Sequence, residues 1–96
     1  MTILTNKVIS VFDKKTSMRL TKIEWEILDS ICMRENIKRK KLLELIESRR
    51  NSSLGLTPSV RLFSLLYLYS LNGKFAGYYS SHKSPHLENT LKQIEH

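Results

Sequence analysis

The stretch "KKTSMRLTKIEWEIL", Lys14 to Leu28, changes character at Thr21. Before that residue polar and apolar side chains roughly alternate, so Thr16, Met18 and Leu20 face one side of a short strand and Lys15, Ser17 and Arg19 the other. From Thr21 onward the apolar residues fall three and four apart. Ile23, Trp25, Ile27, Leu28, Ile31 and Cys32 then form a broad helical face. Thr21 with Glu24 three residues later is a capping-box pattern, which places the helix start. "RENIK", Arg34 to Lys38, breaks the period, and Asn36 is the expected stop.

Working outward, a second helix is expected from about Lys38 to Arg49, burying Leu42, Leu43, Leu45 and Ile46. It opens on "KRKK", Lys38 to Lys41. Cations are the wrong sign for a helix N-terminus, so the arrangement costs stability unless an anion sits there. "NSSLGL", Asn51 to Leu56, reads as a loop. A third helix follows, with Thr57 as N-cap, Pro58 in the first helical position and Asn72-Gly73 as the stop. It is apolar almost all round, through Val60, Leu62, Phe63, Leu65, Leu66, Tyr67, Leu68, Tyr69 and Leu71, so burial on more than one side is expected. The tail from Lys74 is mostly polar, and "HLENTLKQI" within it is expected to fray. Residues 1–13 mix Ile3, Val8, Ile9, Val11 and Phe12 with polar residues; strand and docked arm both remain open.

Ninety-six residues make one domain, with or without tails. A formal charge of +7 favours an acidic partner, nucleic acid first. The single cysteine, Cys32, excludes an internal disulfide and cysteine-cluster zinc sites. No apolar run reaches the ~20 residues of a membrane span. "MTILTNKVISVF" has one lysine and no continuous apolar core, and is not read as a signal peptide.

A lone strand leaves backbone groups unpaired, which is costly if they are buried. Residues 14 to 50 are also close to the size at which a chain struggles to bury enough surface alone. Two copies pairing their strands antiparallel across a two-fold axis would meet both needs. Met18, Leu20, Trp25, Leu28, Leu42 and Ile46 would then form a shared dimer core. Lys15, Ser17 and Arg19 would point outward on a two-stranded ribbon, which fits the major groove of DNA. The "KRKK" turn would lie beside it, its cations and free amides both attracting phosphate.

"TSMRLTKIEWEILDSICMRENIKRKKLLELIESRR", followed by a loop and "SVRLFSLLYLY", resembles the ribbon-helix-helix family of bacterial transcriptional regulators related to Arc and MetJ. One subgroup is similar in particular: Thr-Ser, a variable residue and Arg-Leu, an aromatic-containing helix, an acidic-x-Arg end to the second helix, and a third helix with Ser and Arg. The likeness runs from about Thr16 to Tyr69. It implies a mostly α fold, an intertwined homodimer with a two-stranded antiparallel ribbon, and an additional C-terminal helix. The implied organisation is an N-terminal arm (1–13), a ribbon-helix-helix core (14–50), a loop and third helix (51–73) and a polar tail (74–96). By matching positions, Lys15, Ser17 and Arg19 take base contacts. Lys38, Arg39 and Lys40 take phosphate contacts, with Lys41 and Lys22 adjoining. The family commonly caps its second helix with Ser or Thr; this chain has Lys38 there. The implied function is a cytoplasmic, nucleoid-associated repressor or autoregulator bound to double-stranded DNA.

Blander readings stand beside these. Trp25 reads as packing. Cys32 reads as a small buried hydrophobe. His82 and His86 are four apart, but Ser84-Pro85 between them argues against a helical metal site, and no metal or cofactor is expected. No catalytic constellation occurs, so a non-enzyme is expected. The alternative is an antitoxin-like or adaptor module that binds a protein through the third helix or tail.

Overall fold

The computed structural model describes residues 3–71 and 86–95. Strands β1 (Leu4–Val11) and β2 (Lys14–Thr21) come first, followed by helices α1 (Lys22–Glu35), α2 (Arg39–Arg49), α3 (Leu56–Tyr69) and α4 (His86–Ile94). The two strands pair antiparallel along their whole length, from Leu4 opposite Thr21 to Val11 opposite Lys14. The ribbon is therefore an intrachain hairpin. This corrects the expectation that β2 has no partner strand within its own chain, and the N-terminal segment from Leu4 onward is a strand.

The physical reason lies in the two-residue connection. Phe12 and Asp13 both have positive φ, 50° and 63°, the signature of a type I′ turn, whose twist matches that of the strands it joins. The Phe12 N–H donates to Glu44 Oε2 of α2 at 2.9 Å, which ties the turn to the helix. A left-handed phenylalanine is strained by about 1 kcal/mol or more, and Phe12 is more than half exposed. Phe12→Asn should therefore raise unfolding free energy by about 1 kcal/mol in a denaturant titration; a fall would mean that the ring's contacts outweigh the strain.

Alternation sorts the hairpin into two faces. Ile9, Val11, Met18 and Leu20 are buried under α1, α2 and α3, which pack on this side. Thr21 then starts α1 through the expected capping box: its hydroxyl accepts the Glu24 N–H, and Glu24 Oε1 accepts the Thr21 N–H at 2.8 Å. Asn36, at φ 55°, ends α1 in the left-handed conformation. Helix α3 starts earlier than its punctuation suggested. Gly55, not Thr57, is the N-cap, and the Ser59 N–H closes the first turn onto the Gly55 carbonyl at 3.1 Å. Pro58 is tolerated there because first-turn amides need no helical acceptor. The expected stop at Asn72-Gly73, and Tyr78 and Tyr79, lie outside the described residues.

The six residues expected to need a second copy for burial are buried within one chain, none more than 3 % exposed. Val60, Phe63 and Tyr67 of α3 and Leu91 and Ile94 of α4 complete that core. The tail helix does not merely fray at the surface: α4 packs on α2 and α3, and Arg49 bridges Glu88 on it and Glu95 just past its end. Leu87, Leu91 and Ile94, four and three apart, supply the apolar face that makes this possible. The Cα radius of gyration, 13.4 Å, is close to the ~13 Å of a folded chain of about 100 residues. Helix α3, apolar almost all round in sequence, leaves Leu65, Leu68 and Tyr69 exposed.

Candidate nucleic-acid interface

The outer face of the hairpin carries every second residue of both strands. From β2 these are Lys15, Ser17 and Arg19, all exposed. Opposite them in the register stand Ser10, Val8 and Asn6 of β1. Sequence reasoning found the first three and missed the second three, because which β1 residues face outward depends on the turn. Acidic side chains do not occur among these six, and two of the six are cations.

Arg19 is held by its backbone, leaving its side chain available. Its carbonyl accepts from Arg61 Nη2 at 3.3 Å, while Arg61 Nε donates to Glu24 Oε2 at 2.8 Å. Burial pushes the Glu24 carboxyl up, but the hydrogen bonds from Thr21 and Arg61 outweigh it and hold it below the ordinary carboxylate value. Glu24 is thus an anion that fixes β2, α1 and α3 to one another. The Arg19 side chain has no hydrogen-bond partner among the described residues.

The start of α2 lies beside β1. Val8, Ile9 and Ser10 line one shallow recess together with Arg39, Lys40 and Leu43. Lys38 is the N-cap of α2 and makes no side-chain cap, so the first-turn amides are left to an outside acceptor. The four cations there differ in their commitments. Lys38 and Lys41 are exposed. Lys40 pairs with Glu44 at 2.7 Å, and that bond holds the ammonium above the ordinary lysine value; Lys40 is fully charged. Arg39 forks onto Asp29 of α1 with bonds of 2.8–3.0 Å, and its guanidinium stands 5.1 Å from the Trp25 ring centroid. Arg39 is therefore a clasp between α1 and α2 as well as a positive charge near the ribbon. Lys22, exposed, opens α1 at the far end of β2 from the turn.

Trp25 joins these parts. Its Nε1 donates to the Thr5 carbonyl of β1 at 2.9 Å, and Lys7 Nζ lies 5.2 Å from its ring centroid. The ribbon, the first helix and the basic start of the second are thereby fixed on one buried side chain.

Other candidate chemistry does not assemble among the described residues. No group of three or more His, Cys, Asp or Glu side chains stands close enough to hold a metal. His86 Nδ1 meets Ser70 Oγ at 3.0 Å, and His82 and His96 lie outside the described residues. Cys32 is buried, and burial pushes its thiol up, away from the reactive thiolate. No described helix is long and apolar enough to cross a membrane.

A family model described as a ribbon-helix-helix domain matches residues 4–68, from the first residue of β1 to the last turn of α3. No curated protein and no solved structure matches.

Proposed function

The chain belongs to the ribbon-helix-helix family of DNA-binding regulators, and on that premise we propose that it is a sequence-specific repressor or autoregulator that lays its hairpin in the major groove. The observation that carries this reading is the exposed, cationic outer face of a rigidly seated two-stranded ribbon beside an uncapped, basic helix start. A ribbon of two strands fits the ~12 Å major groove. Arg19 can fork onto guanine O6 and N7, Ser17 can bond several bases, and Lys15 can reach a base or phosphate. The α2 amides with Lys38, Lys40 and Lys41 hold one phosphate run, and Lys22 adds a charge at the other end. The like-charge crowding at "KRKK" is relieved by that phosphate.

The test is binding to a duplex selected from a random pool and to a scrambled duplex, measured across salt. Affinity should fall linearly on a log–log salt plot. Lys41→Ala should weaken both duplexes alike and reduce the slope by about one. Salt-independent binding, or none to any duplex, would contradict the proposal.

A second reading, a protein-binding adaptor, draws on one observation. Ile23, Leu65, Leu68 and Tyr69 are exposed large apolar residues, and Leu65 and Leu68 rim a groove floored by Leu20, Ile27 and Val60. Leu65→Lys should leave DNA affinity unchanged; loss of a co-purifying protein, or of self-association by mass measurement, would favour this reading.

A further inference from the structure

We propose that β1 extends the DNA contact from the floor of the groove to its phosphate walls: in the dimer the sheet runs β1, β2, then the partner's β2 and β1, and Asn6 and Ser10 of each flanking strand bond phosphate oxygens. The inference rests on the DNA-binding reading above and on the dimers through which ribbon-helix-helix proteins bind DNA. It assigns a contact outside the base-reading strand.

The backbone of β2 leaves room for the second copy. A two-residue turn makes its flanking residues, Val11 and Lys14, a hydrogen-bonded pair, and such pairs alternate along an antiparallel ladder. Thr16, Met18 and Leu20 therefore bond to β1 through their amides and carbonyls. Those of Lys15, Ser17 and Arg19 point to the opposite edge. Two contacts agree with that direction: the Thr21 N–H reaches Glu24 Oε1, and the Arg19 carbonyl receives Arg61. No third strand lies on this edge among the described residues. An antiparallel copy centred on Ser17 pairs all three residues and leaves each hairpin intact.

Width then places β1. Strands in a sheet lie about 4.8 Å apart, so the two β1 strands stand about 14 Å apart across a four-stranded sheet. The major groove is ~12 Å wide. The two β2 strands fit over its floor, and each β1 falls over a phosphate wall. The basic start of α2 lies on that same side: Val8, Ile9 and Ser10 share a recess with Arg39 and Lys40. The chemistry agrees. Among the outward residues of β1, Asn6 and Ser10 each carry a neutral donor, the kind of group that bonds phosphate without reading sequence. Nor does β1 hold an acidic residue to repel the backbone.

The double variant Asn6→Ala/Ser10→Ala, titrated by fluorescence anisotropy against the selected duplex and a scrambled one, tests this. Affinity should fall about ten-fold or more on both alike, since four donors leave each dimer. The motif selected from a random pool should not change. Ser10→Lys should strengthen binding to both duplexes and steepen the salt dependence by about two per dimer. Ser52→Lys, beyond the C-terminal end of α2, is the control and should do neither, because its charge is screened over that distance. Native mass measurement should find two chains per duplex. The substituted side chains lie on the outer face, so circular dichroism and melting should match the parent protein and exclude misfolding. Unchanged affinity in the double variant, a loss confined to the selected duplex, no gain from Ser10→Lys, or one chain per duplex would overturn the inference and leave the DNA-binding reading intact. Absence of binding to every duplex by the parent chain would overturn both.

Discussion

Trp25→Ala should lower the free energy of unfolding by about 3–5 kcal/mol, the usual cost of removing a buried aromatic side chain. Trp25 is 3 % exposed and contributes in three ways. Its ring fills the space between the hairpin and the first two helices, its Nε1–H satisfies the Thr5 carbonyl, and its faces receive Lys7 and Arg39. The hydrogen bond is worth about 1 kcal/mol and each cation contact about 0.5–1 kcal/mol, so most of the loss comes from the cavity. Trp25→Phe keeps much of the volume and should recover more than half of the deficit. Denaturant titrations of both variants provide the check, and a loss below about 1 kcal/mol for the alanine variant would show that the hairpin is not anchored through this side chain.

Arg19→Ala should cost about 1–3 kcal/mol on the selected duplex and relax preference at one base pair. On random DNA it should cost only the electrostatic share of one charge. The fold should be unaffected, because Arg61 holds the Arg19 carbonyl and not its side chain. Fluorescence anisotropy against both duplexes separates the two losses; equal losses would place Arg19 on phosphate instead of a base edge.

Much of this candidate interface was legible because its determinants are local. The Thr21–Glu24 capping box and the Asn36 stop depend on residues three or four apart, and both occur where the pattern placed them. The outward set Lys15, Ser17 and Arg19 followed from a period of two. The partner strand did not. Its turn is Phe12-Asp13, without the glycine or asparagine that usually marks a type I′ turn, and an exposed Val8 next to a buried Ile9 blurs the alternation of residues 4–11. With β1 unread, β2 looked unpaired, and a second copy was the physical remedy. The same gap concealed Asn6, Val8 and Ser10, whose position is a matter of register. The bond from Arg39 to Asp29 was not legible, because that partner sits on another helix and no spacing rule announces the pairing. The docking of α4 was underweighted because three apolar residues in nine count for little until a core is available to receive them.

Isotope-filtered NMR on an equal mixture of labelled and unlabelled chains tests most directly whether one chain completes the ribbon. Contacts between Ile9 and Thr16, and between Lys7 and Met18, should arise within single chains only and persist unchanged on dilution. Absence of these contacts, with residues 15–20 of a labelled chain joined to residues 15–20 of an unlabelled one in their place, would show a ribbon made only between two copies and would contradict the account.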